Sequence, residues 1–447
     1  MKKIFLYLSL YLLISISLFS QQIDFKSDWK QLSRNFIEKY YALEFDYCYA
    51  QFDTTVQKQF PKDLFKQAYS QTEFRYGKFV KILETTIAEE QGYHLTSTVI
   101  EHEKGKYIMQ ITYFDNKKIV GFFFKPFTDP KESNSGYKIP NYADTSKFSI
   151  VNLKFGEKYK LDAQLTLPKT SKKVPALILV HGSGPNDMDE TIGPNKPFKD
   201  IAYGLTTNGI AVLRYNKRTF QYNNEMALIR NEITLYEETI EDVISAFNYL
   251  KTRPEIDSTK IFILGHSLGG LAIPKIAELI PSANGFILMA AANQPLEDKF
   301  LEQYTYISKL KNNQGIDSTT LKLIAEQVQK VKNQEYGDNI HPETQPLGLP
   351  ASYWQYLEKY KPLELIKKIT KPILVIQGQR DYQVTEKEFN IWKSVLESHN
   401  NCKFILYPKL NHLFLEGEKQ STPEEYGIPS NIPVYVIKDI SEWILSN

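Results

Sequence analysis

A chain of 447 residues with 42% hydrophobic and 24% charged residues exceeds one ordinary core, and its composition excludes disordered, collagen-like and coiled-coil proteins. Its 54 Lys and Arg stand against 52 Asp and Glu, and without Lys2 and Lys3 the two signs are level. A surface with no basic excess excludes a polyanion binder, so nucleic acid is not an expected partner.

Lys2 and Lys3, the apolar run Ile4 to Phe19 and then Gln21 and Gln22 read as an export signal over residues 1–20, with an uncleaved anchor as the alternative. The expected location is periplasmic or secreted, with no membrane contact in the mature form. The only cysteines, Cys48 and Cys402, are far apart; two free thiols are expected over an interdomain disulfide. With no C-x-x-C and no H-E-x-x-H, neither a metal nor a cofactor is implied.

Residues 21–138 read as a small α+β domain. Trp29, Leu32, Phe36, Tyr40 and Leu43 recur at helical spacing within a stretch expected to be helical over 27–60. Alternating runs then follow at Lys78 to Leu83, Tyr93 to Ile100, Lys106 to Thr112 and Lys118 to Phe124, an antiparallel meander. This order of elements resembles the cystatin-like or nuclear-transport-factor-2-like domains that precede some bacterial hydrolases. His94 and His102 lie in strand-like segments and are expected to have surface or structural roles. Pro126, Pro130, Gly136 and Pro140 mark a linker.

From Phe148 onward strands alternate with helices, and residues 145–447 read as a second domain. Leu161 to Leu167, Ala176 to Val180, Ile210 to Arg214, Ile261 to Leu264, Gly285 to Met289, Ile373 to Ile376 and Lys403 to Tyr407 are the strand candidates. Continuous apolar strands suit a sheet buried on both faces, so a doubly wound, mostly parallel α/β sheet is expected. Residues 293–365 interrupt the alternation with helical segments at Leu296 to Leu310 and Thr320 to Val331 and the aromatic cluster Tyr353, Trp354, Tyr356 and Tyr360; an insertion of that length reads as a lid.

The chemistry centres on Gly265-His266-Ser267-Leu268-Gly269, which follows an apolar strand and leads into a helix at Leu271 to Ile280. A serine hydroxyl becomes a nucleophile when a sharp turn exposes it, a base takes its proton and donors hold the oxyanion. Downstream, the strand ending at Ile376 runs out to Asp381 and the strand ending at Tyr407 runs out to His412. Ser267, Asp381 and His412 are therefore the candidate nucleophile, orienting acid and base. The loop His181-Gly182-Ser183-Gly184 follows another strand, and the amides of Ser183 and Leu268 are the candidate oxyanion donors, with His181 bracing the loop and His266 packed beside the turn.

These segments resemble the α/β-hydrolase superfamily over residues 148–447. His181 to Thr191 is similar to bacterial carboxylesterases that also resemble serine aminopeptidases and prolyl-oligopeptidase-type domains. Such esterases usually carry Arg where this chain has Met188, and Asp-Lys-Arg-Gly where it has Asn216-Lys217-Arg218-Thr219, which leaves a salt bridge between those loops open. Asp187, Asp189 and Glu190 read as loop-bracing, with cation ligation as the alternative. The expected activity is hydrolysis of small-molecule carboxylic esters through an acyl-enzyme. A peptidase or amidase with the same triad, and a noncatalytic binding protein, are the rivals.

Overall fold

The computed structural model describes residues 25–59, 77–90, 93–103, 105–127, 136–310, 318–337 and 346–447, with positions 62, 69, 72 and 73; the expected signal peptide lies outside them. Among the described residues no helix is long and apolar enough to cross a membrane. The chain divides into two compact units, residues 1–128 and 129–447.

In the first unit the helices Phe25–Tyr41, Phe45–Ala50 and Thr54–Gln59 precede a four-stranded antiparallel sheet, β1 (Phe79–Glu90), β2 (Tyr93–His102), β3 (Gly105–Tyr113) and β4 (Ile119–Pro126), in that order. The helical stretch expected as one run is broken at Leu43, which takes φ 62°. Helical spacing puts Trp29, Phe36, Ile37 and Tyr40 on one face, and strand alternation turns Tyr107, Met109, Ile111 and Tyr113 of β3 toward them to form the core. His94 stacks on Trp29 with ring centroids 4.0 Å apart, and buried His102 meets the Gly77 carbonyl at 2.5 Å. Both histidines thus make packing or backbone contacts within this unit. Cys48 is buried here, Cys402 opens a strand of the other unit, and both are free thiols.

The second unit is built on eight strands in the order β12-β11-β10-β9-β7-β8-β6-β5. They are β5 (Phe148–Phe155), β6 (Leu161–Pro168), β7 (Val174–Val180), β8 (Ala211–Tyr215), β9 (Ile256–His266), β10 (Gly285–Met289), β11 (Ile373–Gly378) and β12 (Cys402–Tyr407). From β12 to β8 the pairings are parallel, and β6 and β5 run antiparallel at one edge. Alternate residues of β7 feed opposite cores. Ala176, Ile178 and Val180 pack with Val243, Phe247 and Leu271, while Leu177 and Leu179 pack with Phe198, Ile201 and Ile440. Helices therefore cover both faces, as apolar strands require. Residues that read as the end of a linker belong to this unit: the Tyr137 hydroxyl donates to Asp200 (2.8 Å) and that of Tyr142 to the Ile432 carbonyl (2.8 Å).

β8 lies on one side of β7 and β9 on the other, so the loops leaving β7 and β9 diverge at their carboxyl ends. In open α/β sheets this reversal of strand order is where a binding crevice forms. The two loops that leave it carry Ser183 and Ser267.

Candidate active site

β9 ends at His266 and the next helix begins at Leu268, leaving Ser267 alone at the corner with φ 54° and ψ −113°. A non-glycine residue is strained there, and such strain marks functional turns. The corner is tight enough that a Cβ on Gly265 would lie 2.3 Å from the Gly269 carbonyl oxygen, and one on Gly269 would lie 2.4 Å from that of Val180. Only glycine at these two positions lets strand and helix meet. The Ser267 amide donates to Met289 O (3.0 Å), and its side chain makes no cap hydrogen bond to the helix. The amide of Leu268, in the first turn, has no intrahelical acceptor.

Asp381 follows β11 and His412 follows β12, and the sheet brings them together. His412 Nδ1 donates to Asp381 Oδ2 at 2.6 Å, with both side chains buried. The remaining lone pairs of Asp381 are also engaged: Oδ1 accepts from the amides of Gln383 (2.7 Å) and Val384 (3.0 Å), and Oδ2 from Gln377 Nε2 (3.1 Å). A carboxylate held by four donors is fixed in place and points its second oxygen at one nitrogen of His412.

Ser267, His412, Gly182 and Ser183 line one cavity of about 200 Å³. Its far wall is the helix Leu296–Ser308 of the 293–365 insertion, which contributes Leu296, Lys299, Phe300 and Gln303. That helix is pinned at several points: Lys299 pairs with Glu388, Gln303 Nε2 reaches Gln383 O (3.2 Å) and the Tyr306 hydroxyl reaches Ser421 O (2.9 Å). That helix thus closes one side of the site as part of a helical lid, and the insertion's segment Ala351–Lys359 buries Tyr353 and Trp354.

The 181–184 loop is shaped by polar side chains. Asn186 Nδ2 donates to the carbonyls of Gly182 (3.3 Å), Ser183 (3.1 Å) and Gly184 (3.3 Å), gathering them on one side. A Cβ on Gly182 would sit 3.2 Å from that of Ser267, so the loop and the corner touch. The Gly182 amide is already taken by Glu190 Oε1 (2.7 Å) and is not a free donor. His181 braces the loop through Nε2 and the Asp187 carbonyl (3.0 Å), and burial pushes its imidazole down to about 4, so it is neutral.

His266 does more than pack beside the corner. Its Nε2 donates to the His412 carbonyl (2.9 Å) and its Nδ1 lies 2.9 Å from Glu190 Oε2, each side chain of the pair being 3% exposed. Burial is the largest influence on the Glu190 carboxyl and would raise it, but the charge and hydrogen bond of His266, with His181 and the Gly182 amide, together outweigh it and hold the group below its ordinary 4.5. Burial is likewise the largest influence on His266 and would lower it, but Glu190, with the His412 carbonyl and Asp381, raises it above 6.5. The histidine contribution is complete below pH 6.5 and is lost as pH rises through its folded value. The carboxylate contribution is complete above pH 4.5 and is lost as pH falls through its own. Thermal unfolding of the wild type and of the neutral Glu190→Gln/His266→Gln pair, followed against pH, is expected to show the wild type losing stability relative to the variant on both sides of pH 4.5–6.5. A constant difference across pH 3–10 would refute the ion pair.

The three acids of the 187–190 segment all have protein partners. Asp187 accepts from the amides of Asp189 and Thr191 and the Thr191 hydroxyl, Asp189 pairs with Arg214 and Lys196, and Glu190 with His266. Loop bracing is their role. The two loops that depart from the esterase pattern are joined by hydrogen bonds: the Met188 amide donates to Asn216 Oδ1 (2.9 Å) and the Lys217 amide to Asn186 O (3.0 Å).

The family model described as serine aminopeptidase, S33, matches residues 175–420, and one described as a protein of unknown function (DUF3887) matches residues 33–122. The chain is similar to Esterase EstD from Thermotoga maritima, with 38% identity over 353 residues, 79% of this chain and 80% of that one. It is also similar to Acylamino-acid-releasing enzyme 1 from Oryza sativa subsp. japonica, with 27% identity over 175 residues, 38% of this chain and 21% of that one. Among solved structures, Est1E from Butyrivibrio proteoclasticus aligns at 16% identity and a TM-score of 0.42, covering 67% of this chain and 99% of that one.

Proposed function

With the chain a member of the serine aminopeptidase (S33) family and an esterase of the α/β-hydrolase type, we propose that it cleaves carboxylic esters with a Ser267–His412–Asp381 triad through an acyl-enzyme. The observation that carries this reading is the buried 2.6 Å contact between His412 and Asp381 beside the cavity that Ser267 and Ser183 share. Ser267 Oγ attacks the ester carbonyl carbon while His412 Nε2 takes its proton. Asp381 holds Nδ1–H and stabilises the imidazolium, and the amides of Ser183 and Leu268 receive the oxyanion. The carbon–oxygen bond to the alcohol then breaks as His412 returns the proton to the leaving oxygen. Water, deprotonated by His412, attacks the acyl carbon, and the acid leaves as Ser267 regains its proton.

A cavity of about 200 Å³ is below the roughly 300–1,000 Å³ of sites for drug-sized ligands, which favours small acyl groups. The one carboxylate among its described lining residues, Glu190, is already engaged by His266 and the Gly182 amide. A substrate amino terminus has no free acid to meet there, which favours an ester over an aminopeptidase substrate. We place the protein outside the cytoplasm on the strength of Lys2, Lys3 and the apolar run to Phe19. Turnover of a short-chain aryl ester and of the matched aminoacyl anilide decides between the readings. The ester is expected to have the higher kcat/KM, and preference for the anilide would make the protein a peptidase.

A further inference from the structure

The buried pair beneath the oxyanion loop has no part in the triad, yet it grips the peptide that presents the candidate donor. Lys217 Nζ donates to the Gly182 carbonyl (2.9 Å) and pairs with Glu238 Oε1, and the Tyr353 hydroxyl donates to the other Glu238 oxygen (2.7 Å). Lys217 follows β8, Glu238 sits in the wide helical turn Tyr236–Ile240, and Tyr353 belongs to the lid helix Ala351–Lys359. The Lys217 and Glu238 side chains are 2% and 12% exposed. Burying two charges costs stability unless geometry and hydrogen bonds offset it, so a pair placed here calls for a reason beyond packing.

The reason lies in the geometry of one peptide. The described chain has no cis bonds, so the Gly182 C=O and the Ser183 N–H, which belong to the same planar unit, point in opposite directions. Lys217 and Asn186 hold the oxygen on one side, and the hydrogen is thereby turned to the other. An ammonium on the carbonyl also polarises the unit and makes its N–H a stronger donor. Burial and the adjacent Glu238 hold the Tyr353 hydroxyl well above its ordinary pKa, so it remains a donor.

We propose that Lys217 is a positioning residue for the Ser183 amide, and that Tyr353, acting through Glu238, makes the strength of the oxyanion hole depend on the seating of the lid. The proposal rests on the triad reading and on Ser183 as a donor. When the lid helix carrying Tyr353 withdraws, Glu238 loses a hydrogen bond in a buried site and the Lys217 ammonium is drawn from Gly182 toward it. Ester hydrolysis is then fully supported only beneath a closed lid.

The test compares wild type, Lys217→Met/Glu238→Gln and Tyr353→Phe on a short-chain aryl ester, with a trifluoromethyl ketone as tetrahedral analogue. Losing an oxyanion donor costs about 10²–10³ in kcat, so the charge-free variant is expected to lose about 10- to 100-fold in kcat with KM nearly unchanged, and analogue affinity should fall in parallel. Tyr353→Phe should give a smaller loss of the same kind and add nothing to the charge-free variant. A purely structural role would lower thermal stability and leave the ratio of analogue to substrate affinity unchanged; that ratio unchanged, a kcat within twofold of wild type, or a Tyr353→Phe effect undiminished in the combined variant overturns the proposal. Tyr353→Phe removes a single oxygen and decides the matter alone if the charge-free variant fails to fold. An active Ser267→Ala would defeat the triad reading itself, whereas an inactive one beside a fully active Lys217→Met/Glu238→Gln defeats only the relay.

Discussion

Ser267→Ala is expected to lower kcat on a short-chain aryl ester by about a million-fold, the loss seen when a complete triad is deprived of its nucleophile. It is also expected to leave the unfolding midpoint within a degree or two of wild type. The second expectation separates this reading from its rival, an ordinary strand-to-helix corner with an idle serine. A serine acting as a helix cap stabilises by about 1 kcal/mol through its side-chain oxygen, and removing it would cost stability and no activity. Here the Ser267 side chain makes no cap hydrogen bond, and the strained φ of 54° is borne by alanine as much as by serine. On the proposed reading, a hydroxyl that makes no cap bond to the helix and lines the cavity serves the chemistry. Steady-state kinetics, fluorophosphonate labelling and calorimetry on the same preparations read out both parts. Near-wild-type turnover, or labelling of the alanine variant at the same rate, would remove Ser267 from the reaction.

The parts of this molecule that were legible in the sequence are those whose physics is local. β7, β10, β11 and the second half of β9 from Ile261 are buried in the middle of the sheet and need apolar runs there, so stretches such as Ala176 to Val180 declare them. The Ser267 corner was legible because Gly265 and Gly269 are demanded by contacts within a few residues. Asp381 and His412 were legible because parallel strands present their following loops at one edge of the sheet. By contrast, β5 went unread: it is an edge strand with one half-exposed face, and Phe148 and Phe155 are its only buried residues. Glu190 and Lys217 were visible only as charges in loops. Their partners, His266 at the end of β9 and the Gly182 carbonyl in the loop after β7, are distant from them in sequence, and nothing in the local sequence of either residue shows that its charge is buried. The roles of His266 and Lys217 therefore emerge only once strand order sets β7 between β8 and β9.

Asp381→Asn tests the triad at its other end and is expected to cost about 10⁴-fold in kcat, the scale for a triad whose histidine is held in the wrong tautomer. The four donors around the carboxylate dictate this loss. Oδ1 accepts two backbone amides, so in the asparagine variant that position must remain the carbonyl oxygen. The amide nitrogen then replaces Oδ2, where it faces His412 Nδ1 and Gln377 Nε2, both of which donated to oxygen. His412 can avoid a clash of hydrogens only by giving up its Nδ1 proton and carrying it on Nε2, the atom that has to receive the proton of Ser267. The base is thereby disarmed without displacement, and the defect should ease at alkaline pH, where Ser267 ionises with less help. A companion Asp381→Glu variant keeps the charge while shifting the oxygens by one methylene and should retain more activity than Asp381→Asn. Kinetics from pH 6 to 10, with thermal unfolding to confirm the fold, would measure all three expectations; an Asp381→Asn enzyme within tenfold of wild type at neutral pH would mean that Asp381 braces the loop after β11 and leaves His412 to be oriented by other groups.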